Sequence, residues 1–364
     1  MNEKQAILLL GRRDRPVDGV ADYCEKLREA GPARGLSFEI ASVPWDEKGW
    51  REAFADLRKA AAAWRDRWVF LQFTTLAWSR RGFPFQAPRA LEILRQCGAR
   101  PAVVFHDFMP FRGWGIVGHA RAWSQMRVLR RLYARSSLAA FTIPVNKIAW
   151  LPIRRDNAVF IPVGSNFPEL DPKIQSSGPL PPAVITVAVF GITGGPRGSE
   201  EVADISYALK FARSKGVRLR LVAIGRGSEV FEEELRKSLN GSGIELSMLG
   251  LMPAGDLVRA LAKAQVLLCS RGQISSRRGS AIAAIVCGLP VVGYRGFETG
   301  FPITEAGVKL VNMHDRQGLA EDLAQVLTDE NLYRELCRRS LAAAREYFSW
   351  DAIASQFASA MSVE

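Results

Sequence analysis

The chain is poor in the residues from which metal and redox sites are usually built: in 364 residues it has three histidines and five cysteines. Cys24, Cys97, Cys269, Cys287 and Cys337 are odd in number, far apart and set among apolar neighbours. That pattern argues against a disulfide framework and against a cysteine-type zinc site, and reads as buried thiols in a reducing compartment. No two histidines have metal-ligand spacing, so no metal is expected. Long apolar runs are missing too: none approaches the roughly 18 uninterrupted residues of a membrane span. The start, MNEKQAILLLGRRDR, lacks the apolar core and cleavage site of a signal peptide. A soluble, cytoplasmic protein is the expectation. The GK[ST] ending of a P-loop is absent, as is any complete GxGxxG, which disfavours nucleoside triphosphatase chemistry and leaves no dinucleotide fingerprint. Acidic residues are scarce in one half only. Residues 1–165 hold 27 Lys and Arg against 15 Asp and Glu, whereas 166–364 hold 22 of each, so the net charge of +12 lies entirely in the first half. Residues 51–150 carry 17 basic and 5 acidic residues. A face of that charge suits nucleic acid, anionic lipid headgroups or a phosphate-linked substrate, against the plain alternative of a solubilising surface. Nucleic acid is set aside because RNP-like aromatics, a helix-turn-helix pattern and zinc knuckles are all absent.

What the sequence does contain is a repeated alternation of short apolar runs with longer helical-period segments, the βα pattern of buried parallel sheets. The candidate strands are 6–11, 36–43, 68–74, 101–107, 138–143 and 158–163 in the first half. In the second they are 184–191, 219–225, 244–250, 265–270, 290–294 and 308–311. Between the halves, 167–182 (FPELDPKIQSSGPLPP) has five prolines in sixteen residues, too many for a helix or a central strand, and reads as a linker. The fold class expected is therefore α/β, with two Rossmann-like βαβ domains at 1–166 and 183–346 and a terminal helix at 347–364 that can cross back to the first domain. Two such domains meeting at a hinge would gather ligands at strand ends facing a cleft.

Residues at those strand ends carry the candidate chemistry. The run PAVVFHD delivers His106 and Asp107 at its carboxyl end, where an imidazole could bond a sugar hydroxyl and a neighbouring carboxylate could fix its tautomer. After the first strand, a loop leads to Asp18, Gly19 and Tyr23 as a helix begins, and the glycine would let a ligand approach free backbone amides. In the second half GITGGPRGSEE places Gly191, Gly194, Gly195 and Arg197 before a helix expected from about Glu200, a loop able to wrap phosphates and supply a guanidinium. Arg226 stands in a GxG at the next strand end, and Gly250 ends the strand after it. The loop RGQISSRRGS sets Ser275, Ser276, Arg277, Arg278, Gly279 and Ser280 at a helix start, an anion site suited to a diphosphate. The helix-like segment 118–135 sets Trp123, Met126, Leu129 and Tyr133 among arginines, a stripe able to lie on an anionic membrane or, equally, to cover a sheet.

In order and spacing these segments resemble the GT-B-fold retaining glycosyltransferases of the family 4 type. GVADYCEKL is similar to that family's acceptor loop and first helix, FHDFMP to its HD strand end, and IPVGSNF to its "IPNGVD" strand. GLMPAGDLVRALAKAQVLLCS looks like its approach to the donor loop, GLPVVGY like its "GxPVVA", and FSWDAIASQF like its terminal "FSW" helix. Two features depart. The family's glutamates eight apart fall on Ser275 and Ala283, and its phosphate-binding "GR…K" pair becomes Ile192 and Arg197.

The resemblance implies transfer of a sugar from a nucleoside-diphosphate donor to a saccharide or lipid-linked acceptor with retention, in bacterial polysaccharide or glycolipid biosynthesis. His106, Asp107 and Arg197 would be catalytic. Gly191, Gly194, Gly195, Arg226, Gly250 and Ser275 to Ser280 would bind the donor, and Asp18, Gly19 and Tyr23 the acceptor. No cofactor is implied, and without a DxD motif to hold a metal, turnover should be metal-independent. An anionic inner-membrane surface would be a further partner. The rival readings are a catalytically silent GT-B protein that binds a sugar nucleotide or a partner transferase, and a GT-B epimerase.

Overall fold

The computed structural model describes residues 4–12, 18–111, 113–153, 156–166 and 183–362. The proline-rich stretch 167–182 lies outside the described residues. Twelve strands are present among those described. The first six are β1 (Lys4–Leu10), β2 (Leu36–Ser42), β3 (Trp68–Phe73), β4 (Arg100–Phe105), β5 (Leu138–Phe141) and β6 (Ala158–Phe160). The second six are β7 (Ile185–Phe190), β8 (Leu219–Ile224), β9 (Glu245–Gly250), β10 (Val266–Gln273), β11 (Val291–Arg295) and β12 (Val308–Asn312). Each forms where the sequence has an apolar run, because a strand covered by helices on both faces has no solvent side on which to place polar residues. β1 shows this: Ala6 to Leu9 are fully buried.

The strands form two parallel sheets, ordered β2-β1-β3-β4-β5-β6 and β12-β11-β10-β7-β8-β9. In each the order reverses at one place, between β1 and β3 in the first sheet and between β7 and β10 in the second. The loops leaving the two strands at such a point diverge to opposite faces and open a crevice. Both sheets belong to the expected α/β class with two Rossmann-like domains.

Contacts divide the chain into two compact units, 1–162 with 350–364, and 163–349. These limits differ from the expected 166 and 346, and the terminal helix, Trp350–Ala360, counts with the first unit. It packs there through aromatics: Phe357 lies 5.3 Å from Phe70 and 6.3 Å from Phe38, and Trp350 lies 5.2 Å from Tyr23. In the second unit the pleat sorts side chains between two cores. Ile185, Val187 and Val189 of β7 join one, with Val266 and Leu268 of β10, while Ala188, Leu267 and Cys269 join the other. This is the two-residue period of a strand buried on both faces.

Strand β10 departs from regular pairing. Cys269 faces Gly293 of β11, yet the next paired residue, Gln273, faces Tyr294, so four steps along β10 match one along β11. Ser270, Arg271 and Gly272 are thereby extruded at the carboxyl end of the sheet, and Gly272 takes φ +64°, which a side chain would strain.

Candidate functional site

Where β7 and β10 part, the second unit brings Arg197, Arg271 and Arg278 together. A cavity of about 410 Å³ opens there, lined by Thr193 and Arg197 after β7, Ser270, Arg271 and Gly272 from the β10 bulge, and Arg278. Tyr294 and His314 close its far side. The helix that follows β7 starts at Pro196, four residues earlier than expected. Proline is pre-set for the first helical position, where its missing N–H is not required, so Arg197 stands in the first turn rather than in a loop.

One of these arginines is held by backbone. Arg278 donates from Nη2 to the carbonyl of Arg271 (2.6 Å) and from Nε to that of Gln273 (3.3 Å), which braces the bulge from inside. Arg271 reaches across the crevice: a Cβ on Gly191, at the end of β7, would stand 3.0 Å from its Nη1. Among the described residues neither Arg197, Arg271 nor Arg278 has a carboxylate partner. Two of the three acids lining the cavity are already engaged. Glu201, nearly buried, accepts from the Thr193 amide (2.8 Å) and hydroxyl (2.5 Å) and so ties down the loop after β7. Asp204 accepts from Tyr294 Oη (2.7 Å) and Arg316 Nε (2.6 Å). Burial, with the Asp204 carboxylate beside it, pushes the Tyr294 phenol well above its usual range. Glu200 is exposed at the rim.

Helix starts reinforce the field. Pro196–Ser214 and Gly279–Val286 have no side chain capping their first turns, leaving amide dipoles open to an anion. Three other helices are capped by aspartate, Asp18 at Gly19–Ala30, Asp315 at Arg316–Thr328 and Asp329 at Glu330–Ala343, while helices such as Trp50–Ala61 and Ala254–Ala262 also start without a side-chain cap.

The loop Ser275 to Ser280 splits into two roles. Arg277 forms a bidentate pair with Glu298, from Nε to Oε2 and from Nη2 to Oε1, both 2.8 Å. Ser275 Oγ adds a third bond to Oε2 (3.2 Å). Burial pushes the Glu298 carboxyl up, but the Arg277 bonds and charge, helped by Ser275 and Arg278, outweigh it and hold the carboxyl below its usual range. Ser275 and Ser276 are buried, and the Ser276 carbonyl accepts from Val163 N. Ser275, Ser276 and Arg277, expected to grip a donor, are thus engaged within the protein; Arg277 and Gly279 are exposed, while Arg278 and Ser280 are half-buried. Gly194 and Gly195 are exposed beside them. Gly250, with φ +61°, is covered by the Glu229 carboxylate, which accepts from Leu251 N, and Arg226 is exposed away from the cavity.

In the first unit His106 leaves β4 half-buried, and its Nε2 lies 2.9 Å from Oε1 of Gln72. An amide oxygen only accepts, so Nε2 carries the proton. Gln72, buried at the end of β3, is itself fixed through its amide nitrogen to the Phe70 carbonyl. Asp107, expected to orient His106, accepts from Thr75 N at 2.7 Å and so ties the β3 loop to β4. Tyr23, expected at an acceptor site, is buried: its ring meets that of His106 edge-on at 5.1 Å, and burial raises its phenol far above its usual range. Asp18 accepts from Val20 N and Ala21 N, so the amides that Gly19 was to open are occupied. The stripe on Gly115–Arg135 is also corrected: Leu129 and Tyr133 are core residues, while Trp123 faces out.

Sequence reasoning passed over Gln72, Arg271, Glu298 and His314. A polar residue inside the apolar run WVFLQF marked the first, and an arginine directly after QVLLCS marked the second. Glu298 and His314 carried no local signal.

Comparison with known proteins bears on the topology. No family model matches the chain, and no curated protein matches it in sequence. Solved structures do match along its whole length. HepE from Anabaena, in complex with UDP and glucose, superposes with a TM-score of 0.67 at 16% identity, over 99% of this chain and 100% of that one. A glycosyltransferase from Rickettsia africae gives 0.69 at 12% identity, over 100% of both chains. WaaG, a glycosyltransferase involved in lipopolysaccharide biosynthesis, gives 0.64 at 14% identity, over 99% of this chain and 100% of that one.

The chain has the GT-B fold. In this GT-B chain the two positions where the resemblance places glutamates are both closed: Ser275 lies under Glu298, and Ala283 is buried among apolar side chains. Among the described residues no group of three or more His, Cys, Asp and Glu could hold a metal. No helix among them is long and apolar enough to cross a membrane.

Proposed function

We propose that the protein transfers a sugar from a nucleoside-diphosphate donor to a saccharide or lipid-linked acceptor, with retention at the anomeric carbon, and that the donor diphosphate sits among Arg197, Arg271 and Arg278. The observation that carries this reading is the cavity at the β7/β10 switch point, where three guanidiniums lack carboxylate partners among the described residues and two of the three lining acids, Glu201 and Asp204, are already engaged. A diphosphate diester is the ligand that such a set of cations and open helix starts would select. HepE, solved with UDP-glucose, supports the donor class, and WaaG, involved in lipopolysaccharide biosynthesis, supports a place in polysaccharide or glycolipid biosynthesis.

In the proposed reaction the bond between the anomeric carbon and a phosphate oxygen breaks and a bond to an acceptor hydroxyl oxygen forms on the same face. The hydroxyl proton passes to the departing diphosphate. Charge grows on that diphosphate, so preorganised arginines supply the largest part of the catalysis and no strong protein base is required. Neutralisation by guanidinium makes the reaction metal-independent. His106, with Nε2 fixed on Gln72, would orient the reacting sugar. Thermal shift with UDP-, GDP-, ADP- and dTDP-sugars tests the donor: at 100 times the dissociation constant a ligand stabilises by about 2.7 kcal/mol. No shift with any of the four would remove the reading.

One observation favours the second reading, a catalytically silent GT-B protein. Both positions at which the family would present carboxylates to the donor are filled by buried small side chains. Donor binding without hydrolysis or transfer in the purified protein would select it.

A further inference from the structure

The first unit carries an apolar projection that its own core does not explain. Trp114 is fully exposed, Ile116 is 89% exposed, and Val117 and Trp123 are each 62% exposed, at and just inside the start of helix Gly115–Arg135. Phe85 and Phe111 are exposed on the two adjoining loops. An exposed patch of large apolar side chains disfavours a free monomer in water and marks a docking surface.

The projection is built rather than loose. The backbones of Gly113 and Gly118 touch: a Cβ on Gly118 would lie 2.4 Å from the carbonyl carbon of Gly113, so the turn closes tightly and pushes the residues between them outward. Gln125, buried on the helix, staples both loops, accepting from Phe111 N (2.7 Å) and donating to the Gly82 carbonyl (2.8 Å). The apolar side chains thus have a fixed platform.

Charge identifies the occupant. At about 100° per residue, Ile116, Trp123, Arg127 and Arg130 fall within about 60° of one another on the outward face. Arg127 lies over the Trp123 ring, 5.5 Å from its centroid. Among the described residues Arg127, Arg130 and Arg131 have no carboxylate partner. Between Glu92 and Asp156 the sequence has eleven basic residues and one acid, Asp107, which is engaged with Thr75 N. Apolar residues and tryptophan at the tip, with arginines alone behind them, match the layering of an anionic bilayer: acyl boundary, interface, then phosphate headgroups. We infer that Trp114, Ile116, Val117 and Trp123 insert into the surface of an anionic membrane, with Arg127, Arg130 and Arg131 against its headgroups. The inference stands on the first unit alone and does not depend on the donor proposed for the second.

The test is sedimentation of the intact protein with phosphatidylcholine vesicles, with and without 30% phosphatidylglycerol (~30 mol%, an order-of-magnitude choice of surface charge), across a salt series. Binding should require the anionic lipid and weaken with salt. W114S/I116S should bind at least about tenfold more weakly at low salt, since the apolar insertion is lost, and R127Q/R130Q/R131Q should lose the salt dependence. Thermal midpoints of both variants should match the unsubstituted protein, because these side chains touch no core. Equal pelleting by the protein and W114S/I116S would overturn the inference, as would no pelleting with anionic vesicles at low salt. So would self-association abolished by W114S/I116S in analytical ultracentrifugation without vesicle binding, which would assign the patch to a second copy of the chain.

Discussion

Replacing Arg277 by alanine separates the two halves of the RRGS loop. Arg277 gives its Nε and Nη2 bonds to Glu298, so its removal should leave donor affinity within about twofold while lowering stability. The cost follows from what remains at Glu298: a carboxylate with its side chain only 14% exposed, left with one bond from Ser275. Stranding such a partly buried acceptor costs roughly 1–3 kcal/mol. For a unit spanning 163–349 that is a fall in midpoint of roughly 3–9 °C. The effect should depend on pH with a definite sign. The Glu298 carboxyl is held low in the folded protein, so its pairing stabilises fully above the unfolded value, about 4.3, and is lost as pH falls through the lower folded value. The gap between R277A and the unsubstituted protein, read by denaturant unfolding from pH 7 to pH 3, should therefore close below about pH 4. A tenfold loss of UDP affinity with unchanged stability would refute the argument, since it would mean that Arg277 leaves Glu298 for the ligand.

Three other outcomes follow from the same geometry. R271A and R278A should each weaken UDP binding by roughly 1.5–3 kcal/mol in calorimetry, and R278A should also lower stability because it frees the bulge carbonyls; unchanged affinity in the double variant would show a different phosphate site. Turnover should survive EDTA and give product with the donor's anomeric configuration by NMR, whereas activity abolished by EDTA and restored by manganese would contradict cationic neutralisation by arginine. H106A and Q72L should both lower kcat with little change in UDP affinity, and Q72L should shift the pH profile of kcat because the imidazole loses its fixed proton acceptor; an unaltered profile would return Gln72 to packing alone.

Strands were legible because parallel sheets leave apolar runs unbroken, and all twelve lie where the runs lie. The β10 bulge was not: Ser270, Arg271 and Gly272 end the apolar run, so the strand seemed to stop where it only slips register. Local pattern also misassigned polar groups whose partners are remote. Arg277 and Glu298 are 21 residues apart, and nothing near Arg277 announces its acid. Asp18 and Asp107 had the right positions for ligands, yet each was committed to backbone amides within its own unit. On Gly115–Arg135 the spacing was read as one stripe, but steps of three turn Trp123 about 120° away from Leu129, which is enough to put one in water and the other in the core.

The discontinuity of the first unit bears on the order in which the protein can be made. Residues 163–349 emerge from the ribosome as one uninterrupted stretch, so the second sheet has all its strands in hand before the chain is finished. The first sheet, although translated earlier, waits for residues 350–360 to lay Phe357 on Phe38 and Phe70 and Trp350 on Tyr23. The half made first is completed last, and a released chain ending at Ser349 keeps every strand of the second unit while baring the aromatic flanks of the first.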